Sequence, residues 1–492
     1  MTNSVTWQVR KPALLLLALA LATAPGCKPG DAESGGDVAG GERGNVEGAN
    51  GGGHETSSTQ PPPTQPPPTQ PPSRLFAESL GTAYTEVSGP IGIEFINEVR
   101  LPAVNGRHAI WGASGRDDRG HIWFGISVGG ARSAHLFEYD PATDIAVDRG
   151  GVLENLASRG LSVEGSSQVK IHSKIWQADD GYLYFTSSDE EGEKEDGSQL
   201  PQWGSHLWRI APVSGEWEHL MTAPEGLITA ACSGRYVYLL GYFGHVLYQW
   251  DTQNGRSRST IVGAAGGHIS RNVVCDRRGH VYVPSVSDLG MIPNAEQFSD
   301  AQTAISTVNG RAFGSSLVEL NDDLLELGRT AIPGYDPDAG ATSHGITAFA
   351  YLADGRIAFA THTGSLYLIT PSDGSESEGS EPSSVQRLGE IDASEKAYPA
   401  GMISVDGDRW LAIMVGSRGD RWLLWDLQSG DKRLIEGTGM SEISARDGAL
   451  FYGSHTRGDD GSAYLVGRWR SPGGYQPMVA RVRIGTSPHG RP

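Results

Sequence analysis

Asp117-Asp-Arg-Gly-His-Ile-Trp-Phe-Gly125 and Asp276-Arg-Arg-Gly-His-Val-Tyr-Val-Pro284 carry one phrase: an acidic turn closed by glycine, then alternating apolar residues. The phrase recurs as Asp179-Asp-Gly-Tyr-Leu-Tyr-Phe-Thr186, Ser233-Gly-Arg-Tyr-Val-Tyr-Leu-Leu240 and Asp354-Gly-Arg-Ile-Ala-Phe-Ala-Thr361. Asp406-Gly-Asp-Arg-Trp-Leu-Ala-Ile413 and Asp447-Gly-Ala-Leu-Phe-Tyr-Gly453 bring the copies to seven. Glycine tolerates the positive φ that tight hairpins need, and the β-branched and aromatic residues behind it suit a strand.

A second phrase trails most copies, a strand running into a polar turn. It reads His135-Leu-Phe-Glu-Tyr-Asp140, His206-Leu-Trp-Arg-Ile210, Val246-Leu-Tyr-Gln-Trp-Asp251, Ser365-Leu-Tyr-Leu-Ile-Thr370 and Trp422-Leu-Leu-Trp-Asp426. Four strands per unit at spacings of ~40 to 75 residues are the signature of propeller blades. No helical periodicity of useful length follows the N-terminus, so a helical solenoid is excluded. The expected fold is all-β, a single seven-bladed β-propeller of four antiparallel strands per blade over residues 74–492. A strand from 75–104 is expected to close the ring against Pro477 to Ile484.

Ahead of it, Arg10 and Lys11 precede the apolar run Ala13 to Leu21, an export signal too short to span a membrane. Ala24-Pro25-Gly26-Cys27 resembles a bacterial lipobox, which makes Cys27 the expected lipidation site and residues 1–26 a lipoprotein-type signal peptide. Residues 27–73 are Gly/Ser-rich and then Pro-rich, with nothing apolar to bury. They are expected to be a disordered tether ending in a polyproline II rod. The expected location is the bacterial cell envelope, lipid-anchored at the outer membrane, with the anchor the sole membrane contact. Cys232 and Cys275 fall at the ends of innermost strands in adjacent repeats, too far apart to bridge, and are expected to be buried free thiols.

The formal charge is −19. That argues against nucleic acid as a partner and leaves a carbohydrate or protein of the envelope, met by a monomer.

If the Asp-Gly turns join innermost to second strands, the starts of the innermost strands lie at the other end of the ring, beside the channel. His172, His268 and His344 fall near such starts, with His108 a looser fourth. The insertions Ser187 to Gly204 and Ser285 to Ser315, and the short loop Gly241 to His245, belong to that end too. The candidate site is therefore His172, His268 and His344 with Lys174, Arg271, Tyr242 and Trp203.

Three readings stay open. The histidines are structural, each bonded at a blade junction. Or His172, His268 and His344 hold a divalent metal, the one candidate cofactor. Or His172 and Tyr242 form an acid/base pair beside Arg271, which would neutralise a carboxylate, as β-elimination requires.

Lys170-Ile-His-Ser-Lys174, Gly241-Tyr-Phe-Gly-His-Val-Leu-Tyr248 and Gly267-His-Ile-Ser-Arg271 resemble segments of streptogramin-lyase-type and polysaccharide-lyase-type propellers, among them ulvan and oligogalacturonate lyases. The resemblance implies catalytic roles for His172, Tyr242 and Arg271 alone; His268, His344, Lys174 and Trp203 are ligand-binding candidates from their placement. Whether the protein is an enzyme stays undecided: the expected function is partner binding, and the alternative is a lyase acting on uronate-containing glycans.

Overall fold

The computed structural model describes residues 91–194, 198–242, 245–263, 270–332, 335, 345–372, 381–391, 399–436, 438–453 and 456–486. The signal segment, Cys27, the tether, His268 and His344 lie outside the described residues.

The described strands form seven separate antiparallel sheets, one per blade. Blade 1 spans Arg107 to Gly151, blade 2 Lys170 to Ala223 and blade 3 Leu227 to Ile261. Blade 4 spans Val274 to Ala331, blade 5 Ile346 to Glu390 and blade 6 Pro399 to Glu436. Blade 7 takes Leu450–Phe451, Ser462–Ser471 and Gly474–Thr486 from the C-terminus, and its outermost strand, Ile91–Glu98, from the N-terminal side. Ile93 pairs with Ile484, so the ring closes where the sequence predicted.

Second and third strands are buried on both faces because each blade packs between two others. Ile122–Val128 is buried throughout, whereas the outermost Arg256–Ile261 is almost wholly exposed. Trp123, Trp208, Trp422 and five fully buried tyrosines, Tyr139, Tyr184, Tyr238, Tyr282 and Tyr464, fill the space between sheets. Adjacent innermost strands approach closely: a Cβ on Gly115 would lie 1.9 Å from the Ile175 carbonyl oxygen, so only glycine fits there. Cys232 and Cys275 are buried free thiols on adjacent innermost strands, and burial pushes both upward in pKa.

Three details differ from the sequence reading. The turn into the second strand of blade 7 is Asp459-Asp-Gly461, preceding Ser462–Ser471; Asp447-Gly448 instead precedes the innermost strand. Ser285 to Ser315 is not a structureless loop. It extends the second strand to Val281–Gly290 and adds a strand, Ala304–Val308, joined to Arg311–Leu320 through Asn309-Gly310, both at positive φ. A short helix, Val152–Ser158, also sits between blades 1 and 2.

The fold-deciding phrase has a physical reason. In blade 4, Asp276 Oδ1 accepts from the backbone N–H groups of Arg278 (2.9 Å) and His280 (3.2 Å), which fixes the turn. Its Oδ2 accepts from Arg278 Nη2 at 2.6 Å and from the Tyr282 hydroxyl at 2.8 Å. Glu319, on the third strand, accepts from Arg278 Nη2, His280 Nδ1 (2.8 Å) and the Ser383 backbone N–H of blade 5 (2.6 Å). Blade 1 repeats the arrangement with Asp117, Arg119, His121, Trp123 and Glu138. Burial pushes Glu138 and Glu319 up, but their hydrogen bonds and guanidinium partners outweigh it and hold both below the usual carboxylate range. Each cluster brings a histidine and two carboxylates within reach of one another, as a metal site would. The Arg119 and Arg278 guanidinium groups already neutralise those carboxylates, which leaves a cation little to gain.

Candidate functional site

The innermost strands bulge where they start. In blade 1 Ala109 pairs with Ser127 and Ser114 with Phe124, which leaves Ile110 to Ala113 opposite only Gly125 and Ile126. In blade 2 Ile171 pairs with Ser187 and Trp176 with Tyr184, which leaves His172 to Ile175 opposite Phe185 and Thr186. Bulges break ladder pairing and re-aim side chains, and they concentrate at rims and beside functional sites. Here they deliver Trp111, His172 and Lys174.

His172 is 7 % exposed, and its Nδ1–H donates to the Ile228 carbonyl of blade 3 at 3.1 Å. Burial, then the charges of Arg271 and Lys170, hold it well below the ordinary imidazole range. The bond is one of several across blade junctions: Trp176 Nε1 donates to Ala230 O, Thr229 Oγ1 to Arg271 O and Asn272 Nδ2 to Ile346 O. For His172 the geometry is therefore that of a junction residue. Its electropositive surroundings also oppose a divalent metal.

Lys174 Nζ reaches back across the junction to the Gly112 carbonyl at 2.8 Å. Burial, with Arg271 second, lowers its pKa to about 8. Arg271 is half-buried, makes no ion pair among the described residues, and keeps a buried Nε without an acceptor. Lys174 and Arg271 are thus two cations whose charges reach a neutral His172.

Tyr242 and Trp203 lie on the loops that follow the second strands of blades 3 and 2, and their backbone N–H groups bond to other residues. The Tyr242 N–H donates to Gly226 O at 2.8 Å. Trp203 is held by its backbone N–H on Asp189 Oδ2 at 3.0 Å, and its buried Nε1 has no acceptor.

Sequence reasoning missed a second group beside this one. Trp111 packs against Tyr452 at 4.6 Å between ring centroids and has two cations near its ring, Arg468 at 4.9 Å and Lys170 at 5.3 Å. Lys170 pairs with Glu190. His108, the looser fourth histidine, accepts from Arg468 Nη1 at 3.2 Å and meets Tyr475 edge-on. Gly467-Arg-Trp-Arg470 marks two arginines in the sequence, but nothing local pairs either of them with Trp111.

Lys170, Lys174, Arg271 and Arg468 thus lie near half-buried aromatics at one end of the ring, in a chain of charge −19. The scaffold is a seven-bladed propeller.

No protein-family model matches the sequence, and no curated protein matches it. Among solved structures it is similar to the β-propeller domain of Myceliophteria thermophila Cps50 (Swd1), at 11 % identity over 80 % of this chain and 99 % of that one, TM-score 0.44. It is similar also to a chain of the Mitotic Checkpoint Complex, at 7 % identity over 82 % and 99 %, TM-score 0.46. The RRP9 WD40 repeats match at 11 % identity over 80 % and 99 %, TM-score 0.41. The blade count rests on this chain's own sheets.

At the same end, in the connection between blades 2 and 3, Glu225 is buried and accepts from the Tyr248 hydroxyl. Burial raises its pKa to about 7 despite that bond. A carboxyl raised on folding stabilises the fold fully only below its unfolded pKa, and the benefit is gone above its folded one. Wild-type protein is therefore expected to lose roughly 2 kcal/mol between about pH 4.5 and pH 7 that Glu225→Gln does not lose. Urea midpoints across that window check it; parallel curves for the two proteins would refute it.

Proposed function

We propose that this chain is an exported, envelope-anchored propeller that binds a glycan, peptide or envelope component at the end carrying His172, Lys174 and Arg271. One observation supports the reading: Lys174, Arg271 and Arg468 gather near the starts of the innermost strands with Trp111 and Tyr475 and without a carboxylate partner among the described residues. A site of that kind favours a ligand with acidic and apolar parts. His172, bonded to a backbone carbonyl and held neutral, fits a role in shaping the site.

The second reading is β-elimination on uronate-containing glycans, with His172 and Tyr242 moving protons. What favours it is Arg271, whose charge reaches His172 and whose Nε has no acceptor. Incubating the protein with a panel of uronate polysaccharides, and following absorbance of the unsaturated product, separates the two. Binding without product is expected. Product formation abolished by His172→Ala would replace the binding-only reading with the lyase.

A further inference from the structure

Arg468 is held by aromatic rings rather than by a carboxylate. Its guanidinium lies over the Tyr475 ring at 4.1 Å and over the Trp111 ring at 4.9 Å, so aromatic faces hold it. Its one hydrogen bond among the described residues goes to His108, which burial, then the charges of Arg468 and Lys170, hold below the ordinary imidazole range. It makes no carboxylate contact among the described residues. Among the described residues the buried Nε of Arg468 and the buried Nε1 of Trp111 both lack an acceptor. Most arginines here instead end on Asp or Glu, as Arg446 does on Glu98 with two bonds of 2.8 Å while also stacking on Trp469.

Buried donors without acceptors are rare, and two in one cluster call for a missing acceptor. A guanidinium fixed by stacking has already lost its rotamer freedom. It offers a planar fork of N–H groups matched to two oxygens of one anion. Among the described residues the carboxylate whose charge reaches His108 is Glu190, and it is paired with Lys170.

We propose that Arg468, clamped between Trp111 and Tyr475, is the receptor for an oxyanion: a carboxylate, sulfate or phosphate group with Trp111 Nε1 as a second donor. The clasp lies at the end of the ring assigned above to partner binding, but it rests on its own residues. It does not require His172 or Arg271.

The test is titration of the purified protein with acetate, sulfate and inorganic phosphate at constant ionic strength, read by Trp fluorescence and calorimetry. Saturable binding of at least one anion is expected, weakened about tenfold or more by Arg468→Gln. Acetate favoured over the tetrahedral anions identifies a carboxylate ligand; the reverse order identifies a sulfate or phosphate ester. If Arg468→Gln melts earlier than wild type, Arg468→Lys carries the test, since it keeps the charge and removes the fork. No saturable binding of any of the three would overturn the clasp. So would binding lost in Arg271→Gln and untouched in the Arg468 variants. Neither result bears on whether the protein binds a partner elsewhere on that face.

Discussion

Replacing Arg278 with alanine is expected to cost the fold about 3 kcal/mol, because Asp276 and Glu319 stay buried once their cation is gone. The loss is larger than a surface ion pair would give, since Asp276 is fully buried and Glu319 nearly so. The guanidinium itself is about a quarter exposed, which keeps the figure at the low end for broken buried pairs. Glu319 is held below its ordinary pKa, so its share of stability is present above the unfolded carboxylate pKa. That share is lost as pH falls through the lower, folded one. The gap between wild type and Arg278→Ala should therefore narrow in acid. Denaturant unfolding at neutral and acid pH measures both. A gap under about 0.5 kcal/mol at neutral pH would mean that the network does not hold blade 4 to blade 5.

Removing the closing strand should do still more damage. A chain beginning at Leu101 loses Ile91 and Ile93, both buried, at about 2 kcal/mol each, and leaves Gly474–Thr486 as an open edge. The expected result is a melting transition lowered by many degrees and concentration-dependent association. A chain beginning at residue 90 keeps the strand and should melt as the full-length protein does. Equal melting of the two shortened chains would show that the ring does not depend on this closure.

The blades were legible because a propeller writes its repeat locally. Asp276 with Gly279, or Asp354 with Gly355, fixes a turn from inside a few residues, and the strand behind it alternates. The last copy slipped because Asp447-Gly448 and Asp460-Gly461 flank the same short innermost strand and look alike. The hairpin within blade 4 was overlooked although Asn309-Gly310, a strong two-residue turn signal, marks it.

The site was less legible for a geometric reason. His172, Lys174 and Arg271 could be found by following strand starts around the ring. Trp111 and Arg468 could not: they meet only because blade 7 closes against blade 1, and no local pattern reports that a bulge turns a tryptophan toward an arginine from the other end of the chain. His268 and His344, chosen by the same rule as His172, lie outside the described residues.

The central claim is that ligand binding belongs to the end of the ring where the innermost strands begin. Amide hydrogen exchange of the protein, with and without the best ligand from a glycan and peptide panel, tests it directly. The account predicts slowed exchange in 107–113, 170–175 and 468–475. Protection confined to the opposite turns, at 117–120, 179–181 and 354–356, would contradict it.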